Sequence, residues 1–474
     1  MPREILIDPV TRIEGHAKIT LRLDDDGEVS DAMFHVTQFR GFEKFAEGRP
    51  MTEMPALMAR TCGICPVSHL ITGAKACDAL LAVEIPPTAA KLRRILHLAQ
   101  NIQSHALSFF HLSAPDFVLG FDSDPAKRHV FGLAEVNQAA ARDGIRLRSF
   151  GQQIIEVLGG KKIHPSWTVP GGVNDPITAA DRDKMLAMIP EMFDIATRTI
   201  KWFKSVIDKF PDEAATFANF PSYFMGTVTP EGDLEHYDGG LRMVDSAGKI
   251  IFDHLPAERY HEVIGEAVEP YSFMKFPYYK GLGYPDGMYR VGPLARLIVA
   301  DRCGTERADI ELKEFRQRFG RVPTSSLLYH YARLIEIIYG IEIIKRLLES
   351  DDILDKHVRA RARPNRREGI GVAEAPRGTL IHHYKIDENG LITWANLVIA
   401  TGHNNLAMNR GILQAAKKFV DGKNVKEGAL NRVEHVIRCF DPCLSCATHA
   451  VGQMPLRIEL TDVKGKVLDV VERA

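Results

Sequence analysis

Four of the seven cysteines in this 474-residue chain fall into two C-x-x-C pairs, Cys62-Gly63-Ile64-Cys65 and Cys443-Leu444-Ser445-Cys446. Two intervening residues let the backbone double back, so both thiolates of a pair can reach one metal ion. Each pair has a histidine just downstream: Arg60-Thr61-Cys62-Gly63-Ile64-Cys65-Pro66-Val67-Ser68-His69 and Asp441-Pro442-Cys443-Leu444-Ser445-Cys446-Ala447-Thr448-His449. Both pairs are expected to open helices. Asp441 suits an N-cap with Pro442 behind it, and Pro66 leads into the apolar run 67–83. Thiols at a helix N-terminus ionise more readily because the positive end of the dipole favours the anion. The expected chemistry is four anionic sulfurs ready for a metal. The plainer readings are a structural zinc ion on all four, or two unrelated pairs, one of them a redox motif.

Other side chains have the right type but weaker context. Glu14 lies in the turn-like stretch Thr11-Arg12-Ile13-Glu14-Gly15-His16, where a glutamate is ordinarily solvated. Glu43, in Arg40-Gly41-Phe42-Glu43-Lys44, could ligate a hard metal ion or form a surface salt bridge. His97, His105 and His111 share one long helical pattern, and histidines so placed are usually satisfied packing residues.

The chain that must position these groups is long enough for a large core and more than one subdomain. Hydrophobic residues make up 45 % and charged residues 26 %, with a formal net charge of −1. That balance gives no global field for nucleic acid or a membrane surface. An odd number of cysteines in so long a chain does not suit a secreted disulfide framework, and no apolar run reaches membrane-spanning length. The N-terminus lacks the apolar core of a signal peptide, so a cytoplasmic protein with reduced thiols is expected.

The expected fold is mainly α (α+β): a bundle of long helices with small β-elements at the N-terminus, around 370–400 and in the tail. Alternation over 18–23 and 29–36, about the turn at Asp24-Asp25-Asp26-Gly27, predicts an N-terminal hairpin. Leu92, Ile95, Leu96, Ala99, Ile102, Phe109 and Phe110 recur at helical spacing. Further helices are expected over 133–158 and 179–210, the latter broken or restarted at Pro190. Residues 211–305 read as irregular with short strands, such as 249–252. A strong helix follows Pro323-Thr324. Its apolar stripe runs through Leu327, Tyr331, Leu334, Ile338, Ile341, Ile344 and Leu348, with Arg333, Glu336, Glu342 and Arg346 keeping it out of a membrane. Residues 358–368 form a basic loop. Asn389-Gly390 predicts a tight hairpin between 379–386 and 391–400, and a helix should cover 405–419.

Several cofactor signatures are missing. There is no phosphate-binding P-loop and no nucleophile elbow, and Gly369-Ile370-Gly371 never completes a dinucleotide fingerprint. Cys77, Cys303 and Cys439 are too few for a separate four-thiolate iron–sulfur cluster.

Taken together, the two cysteine motifs resemble those of the large subunit of nickel–iron hydrogenases. The similarity extends through Arg12-Ile13-Glu14-Gly15-His16, Arg40-Gly41-Phe42-Glu43, residues 159–172, Glu374-Ala375-Pro376-Arg377-Gly378 and the region of Thr401. Within the family, residues 36–45 and Ala400-Thr401-Gly402-His403-Asn404-Asn405 look most like the cytoplasmic NAD-reducing group. Periplasmic and membrane-bound relatives tend to carry Pro-Thr or Pro-Ser followed by Trp-Asn at the latter stretch.

The resemblance implies that Cys62, Cys65, Cys443 and Cys446 bind nickel, with Cys65 and Cys446 also bridging to an iron that carries carbon monoxide and cyanide. Soft thiolates suit both metals. Arg377 and Thr401 would supply donors to the iron's ligands, and Asp441 would orient Arg377. Dihydrogen would be cleaved heterolytically, with the proton passing from Cys443 to Glu14. Glu43 and His449, with a backbone carbonyl near Leu397, would hold a magnesium ion. Iron–sulfur clusters, FMN and NAD would reside only in partners: diaphorase subunits and a hydrogenase small subunit. A maturation endopeptidase would cut after His449, so residues 1–449 form the catalytic domain and 450–474, readable as a β-hairpin, an extension removed on maturation. No nucleic-acid or membrane partner is expected. The alternatives are a non-enzymatic scaffold related to the quinone-site subunit of respiratory complex I, with a four-cysteine zinc site, or a hydrogenase linked to deazaflavin or NADP.

Overall fold

The computed structural model describes residues 3–448 and, beyond them, the paired strands Leu456–Thr461 and Val467–Arg473. Its centre is a helical bundle. Pro87–Ala106 packs on Gln138–Gly159 and on Tyr329–Leu348, and Ala179–Val206 closes the ring against the last two. The predicted stripe is the seam: Leu92, Ile95, Leu96, Ala99, Ile102 and Phe109 are fully buried. Pro87–Ala106 then runs into a π-helical stretch, Leu107–Ser113, and a short helix, Ala114–Leu119. No described helix is long and apolar enough to cross a membrane.

Among the described residues, three sheets of three or more strands surround the bundle. Arg3–Ile7, Ala17–Leu23 and Val29–Val36 form an antiparallel sheet covered by the helix Asn405–Phe419. Glu368–Ala375, Gly378–Ile386 and Ile392–Val398 form another, with the hairpin turn at Asn389-Gly390 as expected. The helix Pro66–Leu81 lies flat on Glu368–Ala375. A Cβ at Gly371 would stand 2.2 Å from the Thr72 carbonyl oxygen, and one at Gly369 2.4 Å from that of Ala76. That close approach is what the Gly369-Ile370-Gly371 pair serves.

The structure corrects three expectations and places two charged residues of the long helix. Residues 211–305 are more ordered than their composition suggests. Tyr289–Arg290, Tyr223–Val228, Gly240–Val244 and Ile250–Leu255 build a four-stranded sheet, roofed by the helix Pro293–Val299. Its strands run only two to six residues, so no period-two pattern is long enough to read. Pro190 does not interrupt Ala179–Val206; packing on both neighbours outweighs the lost backbone bond. The run 133–158 is two helices, Val130–Val136 and Gln138–Gly159, divided at Asn137, whose side chain accepts the Ala140 N–H. Arg333 and Glu336 do not face solvent. Both are buried, and Glu336 receives the Arg296 guanidinium at 2.6 and 2.7 Å.

Candidate metal centre

The two C-x-x-C pairs meet between the bundle and the sheet of Glu368–Ala375, Gly378–Ile386 and Ile392–Val398. Cys65 caps Pro66–Leu81, with Pro66 in its first turn. The second pair is built differently from expectation. Asp441 does not open a helix; it closes one, Glu427–Phe440, with φ 54°. Cys443 caps the following short helix, Leu444–Ala447. The left-handed turn at Asp441 reverses the chain and points Cys443 at the first pair. An aspartate tolerates that conformation better than most residues, and the same residue type caps N-termini, so its local chemistry suits either end of a helix.

The sulfurs form a tight cluster. Sγ of Cys443 lies 3.2 Å from that of Cys62, 3.8 Å from that of Cys65 and 2.8 Å from that of Cys446, and Cys65 is 3.4 Å from Cys446. All four are buried and none is in a disulfide. Hydrogen bonds from the other three thiols, chiefly Cys443, hold Cys62 well below the usual thiol range. Burial pushes Cys443 and Cys446 well above it. One anion is thus stabilised by its neighbours, and further anions in this low-dielectric pocket need a cation among the sulfurs. Four convergent soft donors fit a thiophilic metal such as nickel.

The surrounding groups are fixed. Arg377 is 3 % exposed; its Nε donates to the Asp441 carbonyl, one terminal nitrogen donates to Asp441 Oδ1 at 3.2 Å, and the other to Ser104 Oγ at 3.4 Å. Burial would lower the Arg377 pKa, but the Asp441 carboxylate and the cysteines raise it well above normal. Thr401 Oγ1 accepts the Cys443 N–H at 2.9 Å. Glu14 pairs with Cys443 through an isolated parallel β-bridge, and its Oε2 accepts the Ser445 N–H at 3.1 Å. Gly15 permits this: its φ is 89°, and a Cβ there would lie 2.6 Å from Leu444 Cβ.

Glu43 lies in a separate cluster with Lys275. The ammonium donates to Glu43 Oε1 at 3.0 Å and Asn396 Oδ1 at 2.6 Å, and stands 3.2 Å from Glu266 Oε1. Leu397 reaches Glu43 through its N–H, at 2.7 Å, rather than its carbonyl. His449 lies outside the described residues. The oxygens of Glu43, Glu266 and Asn396 are the donor type a hard divalent cation takes. Sequence reasoning passed over Lys275, Glu266 and Ser104; none sits in a motif, and only the fold brings them to the site.

With the geometry established, comparison with known proteins gives a consistent result. Residues 40–129 and 236–449 match the family model for nickel-dependent hydrogenases, and residues 4–39 match a HoxL-like model. The chain is 42 % identical over 492 residues to the beta subunit of the NAD-reducing hydrogenase HoxS of Cupriavidus necator, covering 100 % of both. It is 43 % identical to a chain of the F420-non-reducing hydrogenase vhc of Methanococcus voltae, covering 95 % of this chain and 96 % of that one. A solved NAD+-reducing [NiFe]-hydrogenase in the H2-reduced state superposes with a TM-score of 0.92 at 46 % identity, over 94 % of this chain and 99 % of that one.

Proposed function

The chain belongs to the nickel-dependent hydrogenase family, and on that premise we propose that it is the catalytic large subunit of a cytoplasmic NAD-reducing nickel–iron hydrogenase. The observation that carries the reading is the buried four-sulfur cluster, with Glu14 bridged to Cys443 and the Arg377 guanidinium close enough to feel the charge of Cys443, Cys65 and Cys62. Cys62, Cys65, Cys443 and Cys446 would hold nickel, with Cys65 and Cys446 shared with an iron carrying carbon monoxide and cyanide. When bound, that centre supplies the site at which dihydrogen is split heterolytically.

The chain's own residues then manage the proton. Cys443 Sγ accepts it, and Glu14, whose backbone runs beside Cys443, takes it onward at its carboxylate. Arg377 is immobilised by Asp441 and Ser104 and Thr401 by the Cys443 N–H, and both would serve as fixed donors to the iron's ligands. Glu43, together with His449, would hold magnesium in competition with Lys275.

The remaining parts of the proposal lie in partners. A small subunit with iron–sulfur clusters would take the electrons, and diaphorase subunits with FMN would pass them to NAD. A maturation endopeptidase would remove residues 450–474. The second reading is an acceptor other than NAD: a relative named as F420-non-reducing is as similar as the NAD-reducing one.

The test is metal content and acceptor use of the chain purified with its co-expressed partners. Nickel near one per chain, infrared bands of metal-bound carbon monoxide and cyanide, and H2-dependent NAD+ reduction are expected. Zinc without nickel would overturn the catalytic reading in favour of the structural one. H2 oxidation with no NAD+ reduction would favour the second acceptor class.

A further inference from the structure

The loop that carries Glu14 is fastened to the bundle by one carboxylate. Asp116, in the helix Ala114–Leu119, is fully buried. Its Oδ1 accepts from the Arg12 guanidinium at 2.5 Å and from Asn431 Nδ2 at 3.1 Å. Its Oδ2 accepts from His435 Nδ1 at 2.6 Å and from Arg438 at 3.2 Å, and Arg128 Nε stands 3.6 Å from Oδ1. Burial disfavours this anion, yet Arg438, His435 and Arg12 hold its carboxyl well below the usual carboxylate range.

Arg12 itself occupies the left-handed region, with φ 56°. A non-glycine residue stays there only when its surroundings over-determine it. They do: Arg12 also donates to Leu112 O at 2.8 Å and Asn431 Oδ1 at 3.0 Å. Arg438 donates to Thr11 O and Thr11 Oγ1, at 3.1 and 3.0 Å, while Glu434 accepts the Thr11 N–H at 2.6 Å. Glu14, two residues on from this turn, lies against Ser445.

Behind Asp116 runs a directed chain. Arg333 donates to His330 Nδ1 at 3.2 Å, so the His330 proton sits on Nε2 and points at His435 Nε2, also 3.2 Å away. His435 is left with Nδ1–H for Asp116. Cys439 Sγ lies within 4.8 Å of both imidazoles, and the three could be taken for a metal site. That reading fails on proton count: ligation through His330 Nε2 would require a proton on Nδ1, where Arg333 already donates. Arg333 also donates to the Cys439 carbonyl at 2.6 Å, near the end of the helix that Asp441 closes. One polar network therefore links the approach to Cys443 with the loop bearing Glu14.

We infer that Asp116 is a positioning residue for proton transfer: by holding Arg12 in its left-handed turn, it fixes Glu14 in reach of Cys443 and Ser445. The inference rests on Glu14 as the proton carrier proposed above.

The experiment uses the complete enzyme with its partner subunits and compares Arg12→Gln, Arg12→Lys and Asp116→Asn with the parent. Three quantities are read: nickel per chain, conversion of para-hydrogen, and exchange of D2 with solvent water. Para-hydrogen conversion needs cleavage and re-formation of the molecule but no proton leaving the site, whereas solvent exchange needs both. The expected result for Arg12→Gln is nickel and para-hydrogen conversion within twofold of the parent, with solvent exchange lowered at least tenfold. Arg12→Lys, which keeps the cation but loses the planar fork, should recover part of the exchange. Asp116→Asn is the harsher change because it leaves guanidinium groups buried without their anion, so the Arg12 pair decides the matter if it fails to fold. Unchanged exchange in Arg12→Gln would overturn the inference, as would nickel, conversion and exchange falling together. A parent enzyme with neither nickel nor para-hydrogen conversion would instead overturn the reading beneath it.

Discussion

Glu14 and Cys443 run side by side as a parallel β-bridge, although they come from opposite ends of the chain. The Leu444 N–H donates to the Glu14 carbonyl at 3.2 Å and the Ser445 N–H to its carboxylate at 3.1 Å, so backbone and side chain are held together. A carboxylate so held can pass a proton without reorganising. Glu14→Gln keeps the oxygen that accepts from Ser445 and removes the capacity to carry a proton. Nickel content should stay at the parent level while D2–water exchange falls by about 10²-fold or more, the usual weight of a positioned acid–base group. Parent-like exchange in this variant would remove Glu14 from the proton path.

The four sulfurs act as one donor set, so loss of any one should empty the site. Cys446→Ser replaces a soft donor with a hard one among sulfurs 2.8 and 3.4 Å away. Nickel measured by elemental analysis should fall from about one per chain to below about a tenth, given the steep preference of thiophilic metals for a complete thiolate set. Cys77→Ser is the control. That thiol is buried, pushed well above its usual range, and spends its proton on the Met51 carbonyl at 3.2 Å. Nickel should be retained there.

The cysteines were legible because C-x-x-C is a local signal, and the bundle because Leu92 to Ile102 repeat at helical spacing over several turns. Arg377 and Thr401 became candidates, and Asp441 and Glu14 took on roles at the centre, only through family resemblance; no spacing rule marks a lone arginine or threonine. Asp441 shows the limit of local chemistry: the same side chain suits an N-cap and a left-handed C-cap, and only the tertiary path chose. Lys275 and Asp116 were illegible for a related reason. Most of their partners lie more than a hundred residues away in the chain, and burial cannot be inferred for a charged residue whose counter-ions are unknown.

Gly15 is the steric gate of the Glu14 bridge. Gly15→Ala places a Cβ 2.6 Å from Leu444 Cβ at a residue with φ 89°. The backbone term alone costs about 1–2 kcal/mol, and the clash pushes residues 14 and 444 apart. A lower thermal midpoint and slower solvent exchange should appear together. Parent-like values for both would show that the two segments separate without consequence.

Arg377 and Asp441 form a buried pair, 3 % and 1 % exposed at their side chains. Removing one charge strands the other, at a cost of about 3–5 kcal/mol for a fully buried pair. Asp441→Asn should therefore lower the denaturant midpoint of the metal-free chain clearly. The double variant Asp441→Asn/Arg377→Met should recover part of the loss, because the Arg377 charge is no longer stranded, while the buried Arg333, which Asp441 also stabilises, keeps its own. Equal midpoints for the single variant and the parent would mean that water reaches the pair.

Acid should loosen the fold before it protonates ordinary carboxylates. Burial lowers His97 and His403 to about 3 and His105 and His435 to about 4, against an unfolded value near 6.5. His97 bonds the Glu374 carbonyl, His105 faces Glu336, His403 contacts Tyr289, and His435 lies between Asp116 and His330. The folded-state values are depressed, so the unfolded chain takes up protons first. Stability is full above pH ~6.5 and is lost as pH falls toward the folded values, by about 1.4 kcal/mol per pH unit for each histidine within that window. The thermal midpoint should hold between pH 8 and about 7 and drop steeply below about 6. A midpoint that stays flat down to pH 5 would mean that these rings bind protons in the folded state as readily as in the unfolded one.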